Sequence, residues 1–330
     1  MLSLLSRFKF LTLSLLFASG TQAWAAQLND PPVVQPNTLR EIAPGVSVIP
    51  DPRINYVPNI GIIEGSDAIL VVDTGMGPAN GQRVYDKAKQ VANGRRIYLT
   101  TTHFHPEHAF GASAFPAEDY IVNKLQAEEL ADKGQEYVDL FRTFGTVERN
   151  ALENMKLATP GITYSKRKEL DLGGLKVVLI EAPAHSRGDQ LIYVPDAGVV
   201  FAGDLVEERF HPIMPDKDTN GSRWIDVTQT ILSLKPQTVV PGHGKMGTTE
   251  LVEITAAYLK HVRNAVFAQA DKGQSQATII KELTPQLKQL HPDWDNAVFI
   301  PYQIATFYAE RTGKPLQLPD PSSDLQSDAE

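Results

Sequence analysis

The chain has 330 residues and a formal net charge of -8, with 42% hydrophobic residues, 21% charged residues and no cysteine. This composition is ordinary for a packed globular protein with a sizeable core. The negative charge argues against a sequence-independent grip on nucleic-acid phosphates or anionic lipid. The lack of cysteine excludes both a disulfide framework and a lipid-modified cysteine.

Residues 1–26 have the pattern of a signal peptide. Arg7 and Lys9 precede the short apolar run LTLSLLFA, and Ala-Trp-Ala at 23–25 fits the small-x-small cleavage pattern. The run is shorter than the ~20 residues of a membrane-spanning helix, so we expect cleavage near Ala26 rather than a membrane anchor. The mature protein should then be periplasmic or secreted. Removing Arg7 and Lys9 with the signal peptide would change the formal charge from -8 to -10. It should have neither a membrane nor a nucleic-acid partner.

The segment NIGIIEGSDAILVVDTGMG predicts a hairpin of two strands, with its turn at residues 65–67 and its end at Asp73. A predicted helix, NGQRVYDKAKQVAN, follows. RRIYLTTTHFH then predicts a third strand. Strand, helix and strand in this order favour a sheet covered by helices over an all-β sandwich.

The second half of the chain continues the alternation. Residues 117–156 have helical spacing and are interpreted as a helical insertion, and ELDLGGLKVVLIEAPAH predicts a strand pair ending at His185. IYVPDAGVVFAGDL echoes the first hairpin. Three helices are predicted next, at TELVEITAAYLKHVRNAVFAQADKG, SQATIIKEL and VFIPYQIATFYAERTG. We expect one domain over residues 27–312 and a disordered polar tail at 313–330.

The stretch TTHFHPEHAFG carries three of the eight histidines. His103 and His105 are two residues apart at a strand exit, so their side chains leave the strand on the same side and can bind one metal. After Pro106 turns the chain, Glu107 and His108 supply ligand atoms for a second site beside the first.

Three further strand exits carry metal-ligand residue types: His185 in APAHSRGD, Asp204 in VVFAGDL and His243 in TVVPGHG. Glycine beside such a residue allows a sharp backbone turn beneath a metal, and a carboxylate can bridge two cations. A single histidine after a strand is more often an ordinary hydrogen-bonded residue, but the set at four strand ends favours a metal centre. The remaining histidines lack such surroundings and are interpreted as non-ligands: His211, His261 and His291.

HFHPEH, with His185, Asp204 and His243 downstream, resembles the metallo-β-lactamase superfamily, whose signature is H-x-H-x-D-H followed by distant His, Asp and His. The resemblance covers roughly residues 45 to 265. It implies an α/β (α+β) fold, a four-layer αββα sandwich with two facing mixed sheets, helices outside and the metals at one edge. A helical insertion and a helical C-terminal tail would complete residues 27–312.

The resemblance also implies a ligand set for two cations. The first would be held by His103, His105 and His185, and the second by Glu107, His108 and His243, with Asp204 between them. Asp73 matches a family aspartate that supports the site through hydrogen bonds, the alternative being a turn cap. Glu107 stands where the family has aspartate, so its longer side chain must retract to bind the same ion, the alternative being a structural glutamate.

Two cations lower the pKa of a shared water, so hydroxide is available as a nucleophile at neutral pH. A ligand set without cysteine suits Zn²⁺, and iron and manganese also fit. We therefore expect hydrolysis of an ester, thioester, lactone or similar bond in a small-molecule substrate, with Glu107 and Asp204 as the candidate catalytic carboxylates. With an aspartate at position 204 the chain resembles hydroxyacylglutathione hydrolases, lactonases and related esterases, whereas true β-lactamases generally carry cysteine or serine there. With HFHPEH, a helical insertion after it and an export signal, the chain is also similar to periplasmic zinc hydrolases found near quinoprotein dehydrogenase and sulfur-oxidation systems.

Three other functions stay open at this point: β-lactam hydrolysis, a flavodiiron-like oxidoreductase, and a periplasmic metal-binding protein without turnover. Arg187 and Asp189 are candidates for the mouth of the site, where Arg187 would hold an anionic group of the substrate; solvent-facing charges are the alternative. In the insertion, Tyr137, Phe141 and Phe144 would contact substrate if the helices cap the site, or form helix core if they do not.

Overall fold

The computed structural model describes residues 30–319. The signal peptide predicted at 1–26 and residues 320–330 of the predicted polar tail lie outside this range, so both remain predictions.

The first sheet contains five strands in chain order: β1 (Arg40–Ala43), β2 (Val46–Ile49), β3 (Ile60–Glu64), β4 (Ala68–Val72) and β5 (Arg96–Thr100). Strands β1 to β4 pair antiparallel, and β4 pairs parallel with β5. Helix α1 (Gly77–Ala92) makes the crossover that a parallel pair requires. The predicted hairpin is confirmed, with Gly61 opposite Val72.

Helices and one short strand follow the first sheet: α2 (Pro106–Ala109), β6 (Ile121–Asn123), α3 (Lys124–Phe144) and α4 (Thr146–Ala151). Residues 117–156 are interpreted from the sequence as a helical insertion, and the structure adds β6 within them, which pairs in parallel with β7 (Ile162–Tyr164). A strand of three residues is too short to show an alternating pattern in the sequence. Asn123 ends it and caps α3, since its side chain accepts a hydrogen bond from Gln126 N.

The second sheet has the order β12-β11-β10-β9-β8. Its strands are β8 (Arg167–Asp171), β9 (Lys176–Glu181), β10 (Gln190–Val194), β11 (Val199–Gly203) and β12 (Thr238–Pro241), with α5 (Gly221–Ser233) before β12. The hairpin of β10 and β11 is antiparallel, and β11 pairs parallel with β12 across α5. In the first sheet, β3, β4 and β5 have the same arrangement, with an antiparallel hairpin followed by a parallel strand. The two similar sequence segments therefore form equivalent hairpins in the two sheets.

Three helices end the described chain: α6 (Thr249–Ala270), α7 (Gln276–Leu290) and α8 (Ile300–Thr312). α7 extends beyond the predicted segment and continues through Pro285. Residues 30–319 contain no helix with the length and apolar character needed to cross a bilayer.

Three apolar clusters define the layers of the fold. Ile69 and Val71 of β4 face α1 and α3, whereas Leu70 and Val72 face the second sheet, as the alternation of a strand requires. The other face of the second sheet packs against α5 to α8. The expected αββα sandwich is therefore confirmed.

Candidate metal centre

The ends of four strands meet at one edge of the sandwich. His103 and His105 follow β5, His185 follows β9, Asp204 follows β11 and His243 follows β12. Seven side chains there form two groups, and the ligand atoms within each group lie within 4.8 Å of one another: His103, His105 and His185 in the first, Glu107, His108, Asp204 and His243 in the second. Every predicted ligand position is thus brought to this edge.

In the first group, His105 Nδ1 lies 3.0 Å from His185 Nε2. The His103 ring is 4.6 Å from the His105 ring and 4.9 Å from the His185 ring, measured between centroids. His185 Nδ1 donates to the carbonyl oxygen of Ile213 at 2.8 Å. This bond fixes the tautomer of His185, because it leaves the Nε2 lone pair directed into the group.

In the second group, His108 Nδ1 donates to Asp73 Oδ2 at 2.9 Å, and His108 Nε2 lies 3.2 Å from Asp204 Oδ1. His243 Nε2 is 3.9 Å from Asp204 Oδ1, and His243 Nδ1 is 3.9 Å from Asp51 Oδ2. Both imidazoles therefore direct Nε2 towards Asp204 and the other nitrogen towards a carboxylate.

Asp204 lies between the two groups. Its Oδ1 faces His108 and His243, whereas its Oδ2 is 3.8 Å from His103 Nε2 and 3.9 Å from His185 Nε2. Gly242 allows this placement, because a Cβ there would overlap Asp204 Oδ1. The two oxygens of one carboxylate are therefore divided between the two groups.

The residues fit a pair of cations. Within residues 30–319, four buried atoms of the two groups make no hydrogen bond: His103 Nε2, Glu107 Oε2, His108 Nε2 and Asp204 Oδ1. An unsatisfied buried polar atom costs ~1–3 kcal/mol, and a bound cation would remove that cost. Imidazole and carboxylate are ligands that divalent transition metals accept.

Asp73 supports the second group through hydrogen bonds, as its match to the family implies. It accepts from Thr102 N at 2.7 Å and Thr102 Oγ1 at 3.0 Å, in addition to His108. Its φ of 68° lies in the left-handed region, which a residue other than glycine adopts at a cost of ~1–3 kcal/mol. The conformation directs the carboxylate back towards the end of β5.

The electrostatics of the two groups act in both directions. Burial alone would lower the pKa of His105 and His108, but nearby carboxylates outweigh it: Asp216 raises the pKa of His105, and Asp204 and Asp73 raise that of His108 well above its usual value. Burial, followed by the charge of His105, lowers the pKa of His185 to about 4. Burial also holds the pKa of His103 well below its usual value. Burial alone would raise the pKa of Asp204, but the charges of His108 and His243 outweigh it and lower that pKa well below the ordinary value. Neutral imidazole and ionised carboxylate are the forms that bind cations, so burial prepares His103 and His185 for a metal, whereas a cation at His105 or His108 competes with a more tightly held proton.

The family model described as "Metallo-beta-lactamase superfamily" matches residues 54–243, which is more than half of the chain. The chain belongs to the metallo-β-lactamase superfamily. The match spans β3 to the end of β12 and includes all seven candidate ligands.

Two curated relatives are hydrolases. Acyl-coenzyme A thioesterase MBLAC2 of Homo sapiens is 25% identical over 224 residues, which cover 61% of this chain and 78% of that protein. Linear primary-alkylsulfatase of Pseudomonas sp. (strain ATCC 19151) is 18% identical over 271 residues, which cover 70% of this chain and 51% of that protein. The chain thus spans about half the length of this alkylsulfatase.

Solved structures show the same fold. The sec-alkylsulfatase Pisa1 from Pseudomonas sp. superposes with a TM-score of 0.65 at 14% identity, covering 83% of this chain and 50% of that one. A metallo-beta-lactamase from Pontibacter korlensis gives a TM-score of 0.54 at 18% identity, covering 67% of this chain and 98% of that one. At such identities the likeness shows the superfamily fold and nothing about the substrate.

Sequence reasoning missed Glu207, which comes shortly after Asp204. One of its carboxylate oxygens is buried and makes no hydrogen bond within residues 30–319. Burial, and then the charge of Asp204, raises the pKa of Glu207 well above its usual value. Its neighbour Glu208 pairs with Arg53 at 3.1 Å instead. Nothing in the sequence Glu-Glu distinguishes the residue that lies near the centre from the one that does not.

Two residues predicted for the mouth of the site have other partners. Arg187 pairs with Asp132 at 3.1 Å and lies 3.7 Å from Asp218, so its charge is balanced, which favours the solvent-facing alternative over anion binding. Asp189 is buried and accepts hydrogen bonds from Ala184 N at 3.1 Å and from the Ser186 hydroxyl at 2.6 Å. Placing Asp189 at the mouth was therefore wrong, because it stabilises the turn that carries His185.

The three aromatic residues of the insertion lie at different depths. Tyr137 stacks on His105 with ring centroids 5.3 Å apart, and its hydroxyl donates to Asp216 Oδ1. Phe141 is buried, and Phe144 is 52% exposed. Tyr137 alone of these three touches a candidate ligand. Neither metal group includes the histidines interpreted as non-ligands, which are described residues: His211, His261 and His291.

Proposed function

We propose that this chain is an exported hydrolase that uses two Zn²⁺ ions to cleave a thioester, ester or lactone bond in a small-molecule substrate. One observation carries the proposal: seven buried or half-buried ligand side chains form two adjoining groups, with the oxygens of Asp204 divided between them. Their unsatisfied atoms support metal binding independently of any likeness to known proteins.

When bound, two Zn²⁺ ions would lower the pKa of a water molecule and polarise the bond to be cleaved. The residues of the chain would hold those ions in place. Asp204 fixes the spacing between the groups, and Glu107 supplies the second carboxylate of the second group. The ring centroids of Phe104 and His105 are 4.7 Å apart, and Phe104 is fully buried. Phe104 therefore excludes water from the inner side of the first group. A dry inner wall strengthens the electrostatic interactions of the site.

A thioester or ester is preferred over a β-lactam for two reasons. The human relative is an acyl-coenzyme A thioesterase and aligns over 78% of its own length. In addition, Asp204 occupies the position where true β-lactamases generally carry cysteine or serine. The structural likeness to β-lactamases supports the fold alone.

Export to the periplasm or beyond is part of this proposal. It rests on the cationic, apolar and small-residue pattern of residues 1–26.

The proposal is tested on the purified mature chain. Metals are counted per chain, and hydrolysis of thioester, ester, lactone, β-lactam and sulfate ester substrates is measured with and without a chelator. We expect two metals and chelator-sensitive cleavage of a thioester, ester or lactone. His105→Ala should be inactive, whereas His261→Ala, which removes an exposed histidine outside both groups, should match the unmodified chain.

Three results would contradict the proposal in different ways. If the purified chain binds no metal, the proposal loses its basis. Turnover that a chelator leaves unchanged would remove the role of the metals. A chain that binds two metals and cleaves none of the substrates would be the metal-binding protein without turnover.

A further inference from the structure

We propose that Asp216, held in place by Tyr137 and Lys133 of α3, is the positioning residue that makes His105 present Nδ1 to the first metal. The inference rests on the proposed metal-dependent function. It goes further by assigning the insertion helix a defined task, the selective stabilisation of one of the two metal groups.

The orientation of His105 follows from its two nitrogen contacts. His105 Nε2 lies 3.2 Å from Asp216 Oδ2, and His105 Nδ1 lies 3.0 Å from His185 Nε2. An ionised carboxylate can only accept hydrogen bonds, so the proton of the neutral ring is on Nε2. The lone pair of Nδ1 therefore faces the first group. His103 and His185 instead turn Nε2 towards the centre. The partner behind His185 is a backbone carbonyl, whereas the partner behind His105 is the side-chain carboxylate of Asp216.

Helix α3 holds Asp216 from the other side. Tyr137 donates its hydroxyl proton to Asp216 Oδ1, and Lys133 Nζ lies 3.9 Å from Asp216 Oδ2. The Tyr137 ring is stacked on the His105 ring at an interplanar angle of 17°. One tyrosine thus restrains both the plane of the imidazole and the carboxylate that accepts its proton.

The same helix also fixes the loop that carries His185. Glu129 is fully buried and accepts hydrogen bonds from Arg187 N at 3.1 Å and Gly188 N at 2.7 Å. Gly188 packs so closely on α3 that a Cβ there would lie 2.5 Å from Gln126 N. Helix α3 therefore supports two of the three members of the first group.

The second group has its support elsewhere. His108 is held by Asp73 at the end of β4, and His243 faces Asp51, which follows β2. These carboxylates belong to the first half of the sandwich and not to α3. Weakening the contact between α3 and Asp216 should therefore lower the affinity of the first site and leave that of the second unchanged.

The test compares Asp216→Ala and Tyr137→Phe with the matched control Asp218→Asn in the mature chain. Asp218 pairs with the same lysine at 2.7 Å and, within residues 30–319, makes no ion pair or hydrogen bond with a histidine. Zinc affinities of both sites are measured by chelator competition. Nitrogen-15 spectra of labelled histidines show which nitrogen of His105 carries the proton. Thermal unfolding in chelator reports the stability of the metal-free fold.

We expect Asp216→Ala to weaken the first zinc site by ~10–100-fold, the range for loss of a residue that orients a metal-binding histidine. The proton on His105 Nε2 should no longer be fixed. Tyr137→Phe should produce a smaller loss at the same site, which keeps the inference testable if Asp216→Ala folds poorly. Asp218→Asn should match the unmodified chain in both affinities.

Unchanged zinc affinity in Asp216→Ala, with the His105 proton still on Nε2, would overturn the inference and leave the proposed function intact. Equal losses at both sites that follow a lower unfolding temperature would overturn it as well, since they would show a merely structural role. An unmodified chain that binds no zinc would overturn the proposed function and this inference together.

Discussion

Gly242→Ala tests whether the position of Asp204 controls both metal groups. A Cβ at residue 242 would lie 2.8 Å from Gly203 C and 2.9 Å from Asp204 N, and it would overlap Asp204 Oδ1, whereas ordinary contact begins at 3.4 Å. The backbone must therefore give way by about half an ångström and the carboxylate by more. Because Asp204 faces both groups, neither can keep its present geometry.

A displacement of ~1 Å at a reacting centre can cost ~100-fold in rate. We therefore expect Gly242→Ala to lose about 100-fold or more in kcat/KM and to retain fewer than two metals after dialysis. The assay is metal analysis by mass spectrometry, together with hydrolysis of whichever substrate the unmodified chain cleaves. Two retained metals with unchanged kcat/KM would refute the reasoning.

Gly273→Ala is the matched control for the glycine change. Its φ of +78° makes alanine strained, but, apart from Gly273 itself and its two chain neighbours, residues 30–319 place no heavy atom within 4 Å of a Cβ there. We expect a stability cost of ~1–2 kcal/mol from the left-handed backbone and no effect on metal content.

Three more predictions concern single residues. His105→Ala should lose at least ~100-fold in kcat/KM, because the Nδ1 atom of His105 belongs to the first group. The variant should stay folded, as measured by circular dichroism, since the apolar clusters do not include His105. A retained rate would contradict the ligand role of His105. Glu107→Asp should weaken the second site, measured by chelator competition, because the structure already brings the longer carboxylate within 4.8 Å of its partners; tighter binding would show that Glu107 is merely tolerated. Burial, and then the charge of His291, lowers the pKa of His211 to about 4, so the folded state binds the proton less readily than the unfolded state and the unfolding free energy should fall as the pH drops from about 6.5 to 4. His211→Gln, studied by urea unfolding in chelator, should reduce that fall by about 2 kcal/mol, and an unchanged slope would count against the buried neutral imidazole.

The main parts of the fold could be predicted because apolar runs and turn residues have regular spacing. The hairpin around residues 65–67 and the candidate ligands at strand ends follow from such local patterns. Pro285 limited the prediction of α7, since proline disfavours a helix interior. The helix nonetheless continues to Leu290, because Leu283 and Leu287 both pack into the core on the same face.

Apart from Asp73, which the family resemblance assigned, the supporting residues of the metal centre could not be predicted. Asp51 and Asp216 lie in loops, and each meets its histidine only after chain segments distant in sequence have packed together. The ion pair that neutralises Arg187 could not be predicted either, because its partner Asp132 lies on α3 and meets Arg187 only when that helix packs against the loop. Ligand types are thus visible in sequence, whereas the carboxylates that orient them depend on tertiary structure.

Anomalous X-ray diffraction at the zinc edge, from crystals of the zinc-loaded mature chain, tests the central claim most directly. Two anomalous peaks are expected, one among His103, His105 and His185 and the other among Glu107, His108 and His243, with Asp204 between them. Crystals of the zinc-treated chain that show no zinc at this edge of the sandwich, or zinc bound elsewhere, would contradict it.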